Sequence, residues 1–242
     1  MRGEALARAC VSERGVVGDR QWALVETTYG GLISARAFPR MLEARAFWAG
    51  DPAADAAARV RIELPDGNRH DAGADDAAAA IAALLKRELR FERLRAAPPS
   101  VAEIDAVMRG EGSLPARDFF DEDVLHLLAT GTLAHLRRLE PSADFDQRRF
   151  RPNILVETED DANGFVEDRW LEGAIEIGSK VRIVGVRPAL RCAVTVWPQA
   201  GLPHRPEVLR TAWAHHQAYV GVFAAVAAGG WIVIGDEIAL AG

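Results

Sequence analysis

Short apolar runs broken by turn residues recur along this chain, without the strand–helix–strand alternation that builds a parallel sheet. That pattern restricts the fold to the β-barrel or sandwich class. In the first third the runs are Trp22–Glu26, Leu32–Arg36, Met41–Phe47 and Arg59–Leu64, with Gly30-Gly31 and Asp66-Gly67 supplying turns. In the second half they are Asn153–Thr158, Ala174–Ile177, Val181–Val186, Ala193–Val196, Val220–Val226, Trp231–Ile234 and Glu237–Leu240. Helical spacing predicts a helix from Asp75 through Leu89, a second over Thr130–Leu139 and a third over Pro206–Ala218. Ala96 to Pro115, rich in Pro, Ser and Gly, reads as a linker.

The 242 residues leave room for one large domain or two small ones. With 49% hydrophobic and 26% charged residues, the chain has globular proportions and can bury a core. No apolar run approaches the ~20 residues that span a bilayer, and the N-terminus does not read as a signal peptide. The net charge of −6 gives no help to a nucleic-acid or anionic-membrane partner. A cytoplasmic protein with neither partner is expected. Two cysteines, Cys10 and Cys192, cannot form a disulfide framework or a zinc finger. Of the 29 basic residues only Lys86 and Lys180 are lysine, leaving 27 arginines. A GC-rich genome accounts for that bias, but any anion site here is built from bidentate guanidinium forks.

Several features read as scaffold. No G-x-G-x-x-G, Walker A, H-E-x-x-H or G-x-S-x-G pattern occurs. His215 and His216 cannot share one helix face, so one is expected at the surface and the other in packing. The acidic cluster Asp118–Asp123 reads as a solvated loop, and the six tryptophans read as core.

Two segments carry chemistry. In Phe150-Arg151-Pro152-Asn153, proline fixes the entry to an apolar strand, and Arg151 and Asn153 alternate toward one face with a donor fork and an amide. A strand-edge salt bridge and turn would use the same residues. Cys192 follows Arg191, with Arg187-Pro188 just upstream. A lone cysteine is commonly a small core residue, but neighbouring positive charge favours the thiolate, a nucleophile and a soft metal ligand.

Taken in order, Phe150-Arg151-Pro152-Asn153, Glu167-Asp168-x-Trp170, Ile177-Gly178, Arg191-Cys192, Gly221-Val222-Phe223 and Gly235-Asp236 resemble the MOSC family, named for the C-terminal domain of molybdenum cofactor sulfurase. The first third is similar to the domain that precedes it in the mitochondrial amidoxime-reducing component and its bacterial relatives. There the matching residues are Arg2-Gly3-Glu4, Gly15-x-x-Gly18-Asp19-Arg20-x-Trp22 and Ser34-Ala35-Arg36-x-x-Pro39-Arg40.

The resemblance implies a mainly β protein with a few helices: a β-barrel MOSC core over residues 97–242 and a smaller N-terminal α+β domain over residues 1–96. It implies a molybdenum cofactor (molybdopterin) and no covalently bound pyridoxal phosphate. Cys192 becomes the metal ligand and catalytic residue, and Arg151 and Asn153 contact the pterin. Arg36 is a candidate for the cofactor phosphate, with Arg20 and Arg191 as further cofactor-binding residues. Cys192 is expected in a cleft with Arg151 and Asn153, and a site that also uses Arg36 requires the two halves to face each other. Cys10 is expected to do no chemistry. The implied reaction is reduction of a small N-hydroxylated compound, with electrons from a separate ferredoxin- or flavin-type protein, since the chain lacks an iron–sulfur cysteine set. The alternatives are a non-catalytic cofactor or sulfur carrier and a scaffold that binds no cofactor.

Related chains open with a strand ending in Pro-Val-Lys-Ser, whereas here Met1 stands directly before Arg2. From this we expect an open sheet edge, self-association and weak phosphate holding. Asp121-Glu122-Asp123 replaces small hydroxyl residues, and Trp197-Pro198-Gln199-Ala200-Gly201 replaces Asp-Pro-x-Thr-Gly.

Overall fold

The computed structural model describes residues 1–242 apart from 21, 29, 51–58, 94–124, 159–163, 172 and 242. The expected linker Ala96–Pro115, the acidic residues Asp118–Asp123 and the boundary at 96/97 lie outside the described residues. Strands dominate. The chain opens with β1 (Arg8–Ser12), β2 (Gly15–Val16), β3 (Trp22–Glu26), β4 (Arg45–Ala49), β5 (Arg59–Glu63) and β6 (Arg69–Asp71). Helix α1 (Asp75–Leu85) and β7 (Leu89–Arg93) follow. After them come β8 (Leu125–Ala129), α2 (Thr130–Leu139), the short α3 (Gln147–Phe150), β9 (Ile154–Val156), β10 (Ala174–Ile177) and β11 (Val181–Leu190). The last elements are α4 (Pro206–His216), β12 (Tyr219–Ala228), β13 (Gly230–Val233) and β14 (Ile238–Ala241).

The chain divides into two compact units. The first is Met1–Leu6, Gly18–Arg95 and Trp197–His204; the second is Ala7–Val17, Ala96–Val196 and Arg205–Gly242.

In the first unit β4, β5 and β6 form one antiparallel sheet, and β3 pairs with β7 in another. The Asp66-Gly67 turn forms as its sequence predicts, with the Asp66 carboxylate accepting from the Asn68 amide at 3.0 Å. Helix α1 sends Ile81 and Leu85 into a core with Leu24, Ile33, Met41, Ile62 and Leu64. It stops short of Leu89, because Lys86 takes the left-handed cap conformation and Leu89 begins β7. Two expected strands are corrected. Pro39 opens a 3-10 helix over Pro39–Leu42, so the Met41–Phe47 run becomes extended only from Arg45. The Leu32–Arg36 run contributes a single bridge, Leu32 to Val25, before the Ser34 carbonyl accepts from the Ala37 and Phe38 amides and turns the chain. The motif residues Arg2 and Glu4 serve this unit. Arg2 donates to the Leu42 and Glu43 carbonyls, and the Glu4 carboxylate accepts from the Trp48 amide at 2.6 Å. Gly18, at φ +90°, lies against the Trp48 ring where a Cβ would overlap it.

The second unit is built on a six-stranded sheet in the order β14-β10-β11-β12-β8-β9, antiparallel except for β8 and β9. Its companion ribbon runs β13-β1-β2. Alternate residues of β8, β10, β11 and β12 (Leu125, Leu127, Ile175, Ile183, Val222, Ala224) pack into one core. The opposite face carries Leu128 and Val220 against Leu133 and Leu136 of α2 and Val208 and Ala212 of α4. The Ala193–Val196 run, expected as a strand, is a 3-10 turn. The tryptophans are also corrected as a group: Trp170 is buried, but Trp213 is 66% exposed and Trp231 is 43% exposed. Among the described residues, no helix is long and apolar enough to cross a membrane.

Candidate functional site

Cys192 sits where β11 ends, and its thiol is free and exposed. The turn that carries it is fixed locally. Thr195 donates both its amide, at 3.1 Å, and its Oγ1, at 3.0 Å, to the Cys192 carbonyl. This side-chain bond gives the backbone an alternative to a ladder, which is why Ala-Val-Thr-Val does not extend despite its β-branched composition. On the other flank the Arg191 amide donates to the Ala218 carbonyl at 2.8 Å.

The Arg151 segment is tied to this turn. Arg191 Nη2 donates to the Phe150 carbonyl at 2.6 Å, one residue before Arg151. Arg151 closes α3 as a left-handed cap at φ 57°, ψ 49°. The expected alternation of Arg151 and Asn153 along a strand is therefore corrected, because Arg151 is in the left-handed region and the strand begins only at Ile154.

Asn153 acts on the neighbouring strand. Its Oδ1 accepts from the His126 amide at 2.9 Å, and its own amide donates to the His126 carbonyl at 2.8 Å. The register explains the meeting, since β9 runs parallel to β8 with Leu127 opposite Ile154. The same row continues across the sheet, from His126 to Phe223 to Arg187. The Arg187 guanidinium lies 4.7 Å from the Phe223 ring centroid, and the Phe223 and His126 rings are 5.5 Å apart. His126 is 2% exposed, and its Nε2 lies 3.1 Å from the Val220 carbonyl. Gly221, at φ +84°, is required here: a Cβ would overlap the His126 ring and the Leu127 carbonyl.

Other sequence motifs resolve into scaffold. Glu167 is 1% exposed and caps the start of α2, accepting from the Ala129 amide at 2.6 Å and from the Thr132 hydroxyl. Burial pushes its carboxyl up, against the pull of those two donors. Asp168 pairs with His216 at 3.0 Å, and the His216 ring stacks on Phe165 with centroids 3.8 Å apart, while His215 is exposed. Gly178 approaches the Asp236 carboxylate, so those two motifs meet each other.

Cys192, Arg191, Arg151 and Asn153 thus belong to one unit and to segments joined by direct bonds. Arg20 and Arg36 belong to the first unit. Arg20 lies 3.5 Å from Asp19, and Arg36 is exposed in a turn. The departing segment Pro198–Ala200 lines a hollow of about 330 Å³ with Pro39, Arg40 and Glu43 in that same unit. His126, Thr195 and Arg149 are the residues the sequence did not flag. Their roles depend on cross-strand register and on a turn, and neither leaves a local motif.

The family model for the MOSC domain matches residues 115–239, and that for the MOSC N-terminal beta barrel domain matches residues 1–107. The chain belongs to the MOSC family. Among solved structures, this MOSC protein is similar to YiiM from Geobacillus stearothermophilus, at 16% identity and a TM-score of 0.37. That match covers 50% of this chain and 55% of the other, so the chain spans about half the length of that relative. No curated protein matches it.

MOSC domains are generally associated with molybdenum cofactor binding. The donor set fits such a group. One exposed soft sulfur with Arg191 beside it suits a metal that brings its remaining ligands with it, and guanidinium groups suit phosphate and pterin oxygens. Among the described residues, no group of three or more His, Cys, Asp or Glu is arranged to hold a bare ion.

Proposed function

We propose that this MOSC protein holds a molybdenum cofactor on Cys192 and reduces N-hydroxylated compounds. The observation that supports the reading is the exposed Cys192 thiol at the end of β11, joined through Arg191 and Phe150 to the Arg151–Asn153 segment. Cys192 would supply the protein sulfur to the metal, while Arg151 would meet anionic or carbonyl oxygens of the pterin. Asn153 holds the neighbouring strand, and any contribution to the pterin is made from that fixed position. Arg20, Arg36 and Arg191 remain the further candidates for cofactor oxygens. When bound, the metal group supplies two-electron exchange at a site open to substrate. In the overall reaction the substrate takes up two electrons and two protons: the N–O bond breaks, one proton goes to the nitrogen, and the other goes to the departing hydroxyl, which leaves as water. The electrons come from a separate ferredoxin- or flavin-type protein, because two cysteines cannot hold a cluster on this chain.

A carrier of sulfur or cofactor is the second reading, and the exposure of Cys192 favours it, since an outward thiol can reach a macromolecular acceptor. One assay separates the two. The cofactor-loaded chain, given a chemically reduced viologen as electron donor and benzamidoxime as substrate, releases benzamidine under the first reading. The Cys192→Ala variant then loses turnover and Cys10→Ala keeps it. A loaded chain that leaves benzamidoxime and simple N-hydroxylamines unreduced favours the carrier.

A further inference from the structure

We propose that Arg149 is a positioning residue for the Cys192 thiol, acting through Thr195; the importance of that thiol rests on the reading above. Arg149 is 0% exposed, the most completely buried charge among the described residues. Its Nε donates to the Asp144 carbonyl at 2.9 Å, and its Nη1 reaches the Thr195 carbonyl at 3.4 Å. Asp144 Oδ2 stands 3.6 Å from Nη2 and balances the charge. Burial works against the guanidinium, which needs both carbonyls and that carboxylate to remain inside.

The side chain is placed to do more than fill space. It leaves α3 just before Phe150 and ends on the one residue whose amide and hydroxyl both hold the Cys192 carbonyl. Arg191 makes the reverse connection, from beside Cys192 back to Phe150. The two arginines therefore clasp the segment before Arg151 to the turn bearing Cys192, each donating to the other segment's backbone. A lysine at 149 would keep the charge but lose the fork that serves two carbonyls at once. A buried cation whose fork ends on the thiol-bearing turn predicts that the arrangement of Cys192 depends on its geometry and not on its charge alone.

The test is alkylation of the native, full-length protein by iodoacetamide at one fixed pH, reading Cys192 by mass spectrometry with Cys10 as internal reference. Arg149→Lys and Thr195→Val are expected to change the Cys192-to-Cys10 rate ratio by about threefold or more each, the loss of one hydrogen bond in the chain of contacts. The double variant changes it no further than the larger single, because both act through one path. Thr195→Val leaves the buried cation in place, so the comparison survives if Arg149 variants fold poorly. A scaffold role alone would lower the unfolding midpoint and leave the ratio alone. Unchanged ratios in Arg149→Lys and Thr195→Val, or effects that multiply in the double variant, overturn the proposal. The reading beneath it fails separately, if Cys192→Ala retains as much molybdenum as the unaltered chain.

Discussion

The Arg191 guanidinium donates through Nη2 to the Phe150 carbonyl at 2.6 Å. This bond explains how residues 40 positions apart in sequence, Arg151 and Arg191, come to serve one place: Phe150 is fully buried and anchors α3, and Arg191 is anchored by its own amide to Ala218. Charge-assisted bonds of this kind are stronger than neutral ones and have defined direction. In this unit, positive groups are fixed on the backbone of their neighbours, which presets the surroundings of Cys192.

Asn153 offers a separation of roles. Removing its oxygen leaves the His126 amide without its acceptor in a buried row, so Asn153→Ala is expected to cost about 1–3 kcal/mol. Asn153→Asp keeps the acceptor and retains most of that stability. Urea midpoints check this, and equal losses in the two variants would show that the Oδ1 acceptor is not what holds the strand.

Gly221 sits where backbone sign and space both exclude a side chain. Gly221→Ala forces a left-handed alanine and pushes Cβ into the His126 ring and the Leu127 carbonyl. We expect a loss of about 3 kcal/mol or more in chemical unfolding. Gly31, which has open space around it and no positive φ, provides the control, and Gly31→Ala should change little.

Glu167 predicts a pH dependence of stability with a defined sign. Its folded carboxyl is raised by burial, so its contribution is fully present below the unfolded value near 4.5 and is lost as pH rises through the folded one. Glu167→Gln mimics the protonated form, accepting from Ala129 and donating to Thr132, and does not titrate. Thermal scans should show the variant gaining on the native chain as pH rises from about 4 to 8. A gap that stays constant, or shrinks with rising pH, contradicts the assignment.

Much of the fold was legible where local chemistry and tertiary context agree. Trp22–Glu26, Ala174–Ile177 and Thr130–Leu139 occupy the ranges their patterns predict. The departures have separate local causes. Ala193–Val196 has strand composition, but Thr195 spends its donors on the Cys192 carbonyl. Gln147–Phe150, with its two arginines, has no apolar period to mark a helix; its capping bond from the Arg148 amide to Asp146 holds one turn. β1 and β8 escape the pattern because Arg8–Ser12 carries a single β-branched residue and Leu125–Ala129 carries none. For the candidate site, the ordered motifs single out Cys192, Arg191, Arg151 and Asn153. The placement of Asn153 on the His126 backbone and of Arg149 under Thr195 was not, since both depend on pairings between distant segments.

With Cys192 proposed as the protein ligand of a molybdenum cofactor, the molybdenum bound per chain should depend on its sulfur. The full chain, its Cys192→Ala variant and its Cys10→Ala variant are purified from a host that makes the cofactor, and metal is measured by mass spectrometry against protein concentration. Bound molybdenum is expected in the unaltered chain and in Cys10→Ala, with a loss of about tenfold or more in Cys192→Ala, as when a ligand contributing over about 1.4 kcal/mol is removed. Equal molybdenum in all three proteins, or none in a folded unaltered chain, would contradict it.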